Sequence, residues 1–131
     1  MKAPLETDEQ KAFVQYLELM NITYYAVPNG AFLKGTPLQR AKQMKRLKAE
    51  GLQVGVPDIV LLFEGGLSVY IELKRIKGST TSKDQKDWQE RLKVLGFKAY
   101  ICKGAKEAIE VTQKYIPKHR AKENAKQGSL I

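Results

Sequence analysis

Two apolar, β-branched segments separated by a glycine-containing turn constrain the fold of this chain more than any other feature. They span residues 59–63 and 67–73, with Glu-Gly-Gly at 64–66 between them. This pattern predicts a β-hairpin. Asp58 directly precedes the first segment, and Glu72 lies near the end of the second. Because a buried carboxylate is unfavourable unless its charge is compensated, these two residues require an explanation.

The length of the turn decides whether the two carboxylates meet. Side chains alternate between faces along a strand, so a three-residue turn at 64–66 places Asp58 directly opposite Glu72. A two-residue glycine turn would instead pair Asp58 with Leu73 and separate the carboxylates. We favour the three-residue turn, or a bulge that restores the same register. In either arrangement Lys74 lies on the same face as Glu72, two residues away.

The shared face of this hairpin has the chemistry of a metal centre. Asp58 and Glu72 offer the hard oxygen ligands that Mg²⁺ and Mn²⁺ prefer, and Lys74 adds a cation beside them. A divalent cation would compensate both carboxylates and support hydrolysis of a phosphodiester bond. The alternative is a half-exposed hairpin in which Asp58 caps a turn and Glu72 and Lys74 are solvated.

Length and charge narrow the class of protein. A chain of 131 residues suits one domain. Its formal net charge of +9 and pI near 9.6 favour a polyanionic partner. Cys102 is the only cysteine and His119 the only histidine, so we expect no internal disulfide, no Ser-His-Asp site and no zinc site. No segment resembles a membrane span, a signal-peptide core or a nucleotide-binding loop.

Helices and strands alternate around the hairpin. We predict helices over 7–20, from 37 to Gly51, from 83 to Gly96 and over 106–116, and further strands over 22–27 and 97–102. Three of the helices begin with capping boxes, formed by Thr7 with Gln10, Thr36 with Gln39 and Ser82 with Gln85. Trp88, Leu92 and Leu95 are predicted to face inward. We therefore expect one α/β domain over residues 1–116 and a basic, mobile tail over 117–131.

Taken in order, these motifs resemble the virus-type replication-repair nucleases, the VRR-NUC family of the PD-(D/E)xK phosphodiesterases. The motifs that carry the resemblance are Pro28-Asn29-Gly30, Gly55-Val56-Pro57-Asp58, Ile71-Glu72-Leu73-Lys74, Ser82-x-x-Gln85-x-x-Trp88 and Gly96-Phe97. The resemblance implies a restriction-endonuclease-like core, a central mixed β-sheet flanked by helices, with Mg²⁺ or Mn²⁺ and no nucleotide cofactor. Stand-alone phage members resemble Holliday-junction resolvases and act as homodimers. It therefore also implies branched double-stranded DNA as substrate, and a cytoplasmic location in a bacterium or a phage-infected host.

The resemblance also implies two further metal ligands. One is the backbone carbonyl of Leu73. The other is an acidic residue of the first helix, where the family pattern Glu-x-x-x-Gln matches Glu6 and Gln10. Glu9 competes with Glu6, because it lies in register with the inward apolar stripe of that helix. We favour Glu6, although either acid also suits a helix N-terminus without any further role.

Lys74 and Gln85 are the remaining candidates for catalysis. In the family's arrangement, Lys74 orients or deprotonates the attacking water and offsets charge in the transition state; the alternative is a plain salt bridge to Glu72. Gln85 is explained by its capping box with Ser82 alone. Because the family has glutamine at this position, a contact from Gln85 to Lys74 or to a water on the metal is an equal alternative.

Positive charge is concentrated in one stretch, residues 34–48, which contains no acidic side chain. A solvated helix face usually mixes both signs, so this stretch predicts a DNA-binding surface. The basic loop after the hairpin either extends this surface or is simply solvated, and the two alternatives are equal. The predicted DNA contacts are Lys34, Arg40, Lys42, Lys45, Arg46, Lys48, Arg75 and Lys77. Contacts of this kind bind phosphates and carry little sequence information, as a structure-selective enzyme requires.

We therefore expect a metal-dependent, structure-selective endodeoxyribonuclease that acts as a homodimer on a four-way junction, because one centre cuts one strand. One alternative is a nuclease acting on flaps, forks or nicked DNA. Another is a catalytically silent DNA-binding module of the same fold, but no acid or lysine of the motif is missing. An RNA-processing enzyme would expose aromatic residues for base stacking, whereas Tyr24, Tyr25 and Tyr100 lie in predicted strands.

Overall fold

The computed structural model describes residues 5–28 and 33–117. In these residues one sheet has the strand order β1-β2-β3-β4. The elements are α1 (Glu6–Leu19), β1 (Thr23–Ala26), α2 (Pro37–Ala49), β2 (Ile59–Phe63), β3 (Leu67–Lys74), α3 (Lys83–Val94), β4 (Lys98–Lys103) and α4 (Gly104–Gln113). Strands β1, β2 and β3 pair antiparallel, and β4 returns through α3 to pair parallel with β3. The sheet is therefore mixed. Asn29, Gly30, His119 and the tail predicted beyond Pro117 lie outside the described residues.

The hairpin has the three-residue turn. Phe63 pairs with Leu67, and Ile59 pairs with Ile71. Gly65 and Gly66 adopt φ values of 79° and 78°, which glycine tolerates far better than other residues do. The confirmed register, continued by one residue pair, places Asp58 opposite Glu72.

The main core lies between one face of the sheet and helices α1 and α4. Phe13 and Leu17 of α1 pack there against Ile59, Ile71 and Leu73, all of them fully buried. Burial of each such side chain contributes roughly 1.5–3 kcal/mol. Helix α3 covers the opposite face with Leu92. This second face, which carries the even-numbered residues of β3, is the one on which Glu72 and Lys74 lie.

Two of the three predicted capping boxes form. Thr36 and Ser82 each accept a hydrogen bond from the backbone N–H three residues on, and the partner glutamine reciprocates. The box predicted at Thr7 is wrong, because α1 begins at Glu6 with Leu5 as its N-cap and no side-chain cap. Acidic side chains in the first turn favour this helix start instead, through the positive end of the helix dipole.

The remaining differences fall at element ends. Leu95, predicted to face inward, is 65% exposed because α3 ends at Val94 and Leu95 is already its C-cap. Helix α4 begins at Gly104, two residues before the predicted start, and β4 extends to Lys103.

Helix α2 differs from the other helices in having no buried residue along its whole length. Its apolar residues Met44 and Leu47 are only half-buried, and Leu38 is exposed. The helix is therefore a surface element whose stability comes from its capping box and Pro37 at the first position rather than from the core. Within the described part of the chain, no helix is both long and apolar enough to cross a membrane.

Candidate active site

Three carboxylates from three different elements converge at one end of the sheet. Glu6 opens α1, Asp58 directly precedes β2, and Glu72 lies near the end of β3. One carboxylate oxygen of each lies within 4.8 Å of the others. Asp58 is 5% exposed and Glu72 only 1%. The structure thus brings together the two hairpin acids and Glu6, the favoured acid of the first helix.

Asp58 is held by the strand beside it. Its Oδ2 accepts a hydrogen bond of 2.7 Å from the backbone N–H of Leu73. In an extended strand the N–H and C=O of one residue point toward the same neighbour. The carbonyl of Leu73 is therefore directed to the same side as Asp58, next to the carboxylates.

Glu72 has the most unfavourable surroundings for a charge. Its Oε1 is buried, and among the described residues that oxygen has no hydrogen-bond partner. Burial, the side-chain contact with Asp58 and the negative charge of Asp58 raise the pKa of Glu72 to about 9. Burial and the charge of Asp58 also raise the pKa of Glu6. An unsatisfied oxygen among three converging carboxylates fits a hard divalent cation, which would supply the missing partner.

Gln85 links the lysine to the acids. The Lys74 ammonium donates to Gln85 Oε1 at 2.7 Å and lies 3.8 Å from Glu72 Oε2. The Gln85 amide nitrogen donates to the same Glu72 oxygen at 3.2 Å. Gln85 Oε1 also accepts from the Ser82 N–H at 3.0 Å, using its second lone pair. Both alternatives weighed for Gln85 are therefore present in one side chain, which caps α3 and fixes the direction of Lys74.

Glu9 occupies a different place from Glu6. Its Oε1 accepts a hydrogen bond of 3.2 Å from the backbone N–H of Ala105, in the first turn of α4. This side chain is also buried, at 8% exposure. The sequence placed both acids on neighbouring positions of one helix, and the structure separates them: Glu6 lies with the carboxylate cluster and Glu9 at the start of α4.

Comparison with known proteins identifies the family. The family model of the VRR-NUC domain matches residues 6–106, from Glu6 through the hairpin and Gln85 into α4. The chain belongs to the VRR-NUC family. Its fold is therefore the PD-(D/E)xK-like nuclease fold, with a mixed sheet of four strands flanked by helices.

Solved structures agree with this assignment at the level of fold. A structure titled "VRR_NUC domain protein" aligns over 88% of this chain and 91% of its own, with a TM-score of 0.70 and 22% sequence identity. A second, titled "VRR_NUC domain", aligns over 85% of this chain and 97% of its own, with a TM-score of 0.59 and 16% identity. No curated protein matches the chain.

The basic side chains of this VRR-NUC domain are spread over its surface. On α2, Lys42, Lys45 and Arg46 are exposed and fall within an arc of about 100° around the helix axis, from the rotation per residue. Arg40 lies outside that arc, and its guanidinium donates to the carbonyl of Gly35 at 3.0 Å. The others in the predicted DNA-binding set are Lys34, Lys48 and Lys77, all exposed, and Arg75, which is half-buried.

Lys103 is a basic residue near the site that sequence reasoning missed. It is the last residue of β4 and pairs with Lys74 in the parallel register. Paired residues of parallel strands point to the same face, and Lys103 is exposed. The sequence showed only that Lys103 directly follows the strand predicted over 97–102. The information that was missing is that this strand lies parallel beside β3.

Proposed function

We propose that this VRR-NUC chain is a metal-dependent endonuclease that hydrolyses phosphodiester bonds in DNA. The observation that carries the proposal is the convergence of Glu6, Asp58 and Glu72 within 4.8 Å, with the Lys74 ammonium fixed beside them. Asp58 and Glu72 are buried, where negative charge is unfavourable unless it is compensated. The carboxylate cluster therefore supports a catalytic role, and the fold of the family is that of nucleases.

The residues have distinct tasks in this proposal. Glu6, Asp58, Glu72 and the carbonyl of Leu73 would hold Mg²⁺ or Mn²⁺. Such a cation, when bound, lowers the pKa of water and polarises a phosphate. Lys74 orients the attacking water, and its ammonium offsets negative charge at the scissile phosphate.

Gln85 assists by holding Lys74. Its amide oxygen accepts a hydrogen bond from the Lys74 ammonium, so the lysine side chain keeps one direction while the substrate enters. Because Gln85 is itself fixed by the N-terminus of α3, the position of Lys74 depends on a rigid helix rather than on a loop.

The substrate class follows from the distribution of positive charge. The exposed cations of α2 and of the loop after β3, with Lys103 beside the site, suit contacts to successive phosphates. Such contacts recognise the shape of DNA, not its sequence. We therefore propose branched double-stranded DNA, with the Holliday junction first among the candidates, and the cytoplasm of a bacterium or of a phage-infected host as its location.

A junction requires two cuts, and each chain has one centre. We propose a two-fold symmetric homodimer, in which each copy cuts one strand. An apolar surface suits this role better than α2, where like charges would repel. Tyr25, Leu62 and Phe97 provide exposed apolar side chains outside α2. Sedimentation of the full chain at micromolar concentration should give a dimer mass; a monomer mass would contradict the symmetric model without affecting the metal centre.

Cleavage of a DNA panel tests the function itself. Linear, nicked, flap, fork and four-way DNA are incubated with the full chain and Mg²⁺ or Mn²⁺, beside Asp58→Asn and a control, Glu64→Gln, in the exposed hairpin turn. We expect cleavage of four-way DNA by the wild type and the control and none by Asp58→Asn. Preferential cleavage of flaps or forks would favour that alternative substrate. Binding without cleavage of any DNA would favour the silent module.

A further inference from the structure

A buried carboxylate outside the acidic cluster lies one helical turn from Glu6. Glu9 is on the inner face of α1, with its Oε1 bound to the Ala105 N–H at 3.2 Å. The first N–H groups of a helix have no partner within the helix and carry partial positive charge. The side chain of Glu9 therefore satisfies one of these groups at the start of α4.

The junction around Glu9 is tightly packed. Gly104, the first residue of α4, has φ +85°, and a Cβ atom there would lie 3.0 Å from Glu9 Oε2 and 2.9 Å from Ile76 Cγ1. Only glycine allows α4 and α1 to approach this closely. The Glu9 carboxylate is thus enclosed by backbone and apolar atoms that leave it little freedom to move.

The first turn of α1 needs such a restraint. Glu6 is the first residue of the helix, and its N-cap, Leu5, provides no side-chain hydrogen bond. The backbone N–H of Glu9 donates to the Leu5 carbonyl at 3.0 Å and so closes this turn. Helix ends without caps fray, and fraying here would withdraw Glu6 from the cluster.

We propose that Glu9 is a positioning residue that holds the first turn of α1 so that Glu6 reaches Asp58 and Glu72. The contact joins α1 to the start of α4, which follows Lys103 directly; Lys103 in turn pairs with Lys74 at the end of β3. Glu9 thus connects the helix bearing one carboxylate to the end of the sheet bearing the others. This inference rests on the proposed metal centre.

Mn²⁺ binding to the full chain, measured by electron paramagnetic resonance, tests the connection. We expect Glu9→Ala to weaken Mn²⁺ binding about ten-fold, the lower end of the range for residues behind metal ligands. Glu9→Gln should retain most of the affinity, because its amide oxygen can accept from the Ala105 N–H. The control is Thr112→Val, a buried change in α4 that removes only a hydrogen bond to the Ala108 carbonyl and should leave Mn²⁺ binding unchanged.

A double-variant comparison separates positioning from general loosening. If Glu9 acts through Glu6, then Glu9→Ala should cause little further loss of Mn²⁺ affinity in a Glu6→Ala background. Equal losses in both backgrounds, or wild-type affinity in Glu9→Ala, would overturn the positioning role. No effect of Glu6→Ala and Asp58→Asn on Mn²⁺ binding would instead overturn the metal centre, and the role of Glu9 with it.

Hydrogen exchange of the metal-free chain gives a readout that needs neither activity nor metal. Amides in the first two turns of α1 should exchange several-fold faster in Glu9→Ala than in the wild type, while those of α3 stay unchanged. Should Glu9→Ala fail to fold, Glu9→Asp serves, because its shorter side chain withdraws the carboxylate from Ala105. Unchanged exchange at the start of α1 in the tested variant would overturn the proposal.

Discussion

The hairpin end of the sheet and helix α2 are both charged, yet they are built in opposite ways. At the hairpin, Asp58, Glu72 and Lys74 are buried and connected to one another, to Leu73 and to Gln85. On α2 every basic side chain is exposed and no residue is buried. Charges that perform chemistry need fixed geometry, whereas charges that bind a phosphate backbone need only a shared surface. Substitutions in the two regions should therefore affect different measurements.

The largest effect is expected at the hairpin. Glu72→Gln, Asp58→Asn and Lys74→Ala should each lower the rate of cleavage by about 10³-fold or more, the scale for groups acting directly on the reacting atoms. DNA binding measured by fluorescence anisotropy without divalent metal should stay nearly unchanged, because the phosphate contacts lie elsewhere. Full activity of Glu72→Gln would refute the proposed metal centre. The control Glu64→Gln should behave as the wild type.

The strand register of the hairpin could also be predicted from the sequence. Strand alternation and the Glu-Gly-Gly turn determine the register, and the turn is local chemistry that needs no tertiary information. The capping boxes at Thr36 and Ser82 are local in the same way. They fix where α2 and α3 begin.

Predictions that depended on packing across the chain were less secure. Glu6 and Glu9 share one helical stripe, and only the approach of α4 assigns each its partner. Lys103 became visible as a neighbour of Lys74 only through the parallel pairing of β4. The capping box predicted at Thr7 was wrong because such a motif is compatible with several helix starts, and α1 begins at Glu6.

Replacement of the exposed basic side chains of α2 should affect DNA affinity rather than the cleavage rate, and the effect should be smaller. Replacing Lys42, Lys45 and Arg46 by alanine should weaken binding to all DNA sequences about equally and reduce the salt dependence by roughly one unit of slope per lost phosphate contact. The rate at saturating DNA should change little. A matched triple replacement of Lys86, Lys93 and Lys98 should leave the slope unchanged. If both triple variants lose slope equally, DNA binding is not localised to α2.

Gln85 contacts Lys74 and also caps α3, so its replacement should lower the cleavage rate less than replacement of Asp58, Glu72 or Lys74 does. Gln85→Ala removes the acceptor for the Lys74 ammonium as well as the capping partner of Ser82, and we expect a loss of about ten-fold in the cleavage rate. Gln39→Ala removes the equivalent capping partner on α2 and should reduce stability by a similar amount without changing the rate. Equal rates for both variants would mean that Gln85 only caps α3.

The raised pKa of Glu72 predicts that the free energy of unfolding depends on pH. Because this pKa is about 9 in the folded chain and 4.5 ordinarily, the folded state binds more protons than the unfolded state between those values. The stabilisation is therefore fully present below pH 4.5 and is lost as the pH rises toward 9. Urea unfolding of metal-free protein at several pH values should show this decline, and Glu72→Gln should reduce it.

Metal binding should remove the proton that the folded chain holds on Glu72. A cation held by Glu72 requires its carboxylate form, so binding at pH 7 should release a proton and tighten as the pH rises. Calorimetry with Mn²⁺ in buffers of different ionisation enthalpy measures the released protons. Binding without proton release would mean that Glu72 is already ionised at pH 7 or is not a ligand.

The most direct test of the account is metal-dependent cleavage of a four-way junction by the full wild-type chain. We expect paired, symmetric nicks in the presence of Mg²⁺ or Mn²⁺, no cleavage after chelation with EDTA, and recovery when the metal is restored. Cleavage that continues in EDTA, or no cleavage of any DNA with either metal, would contradict the assignment of Glu6, Asp58 and Glu72 as a catalytic metal centre.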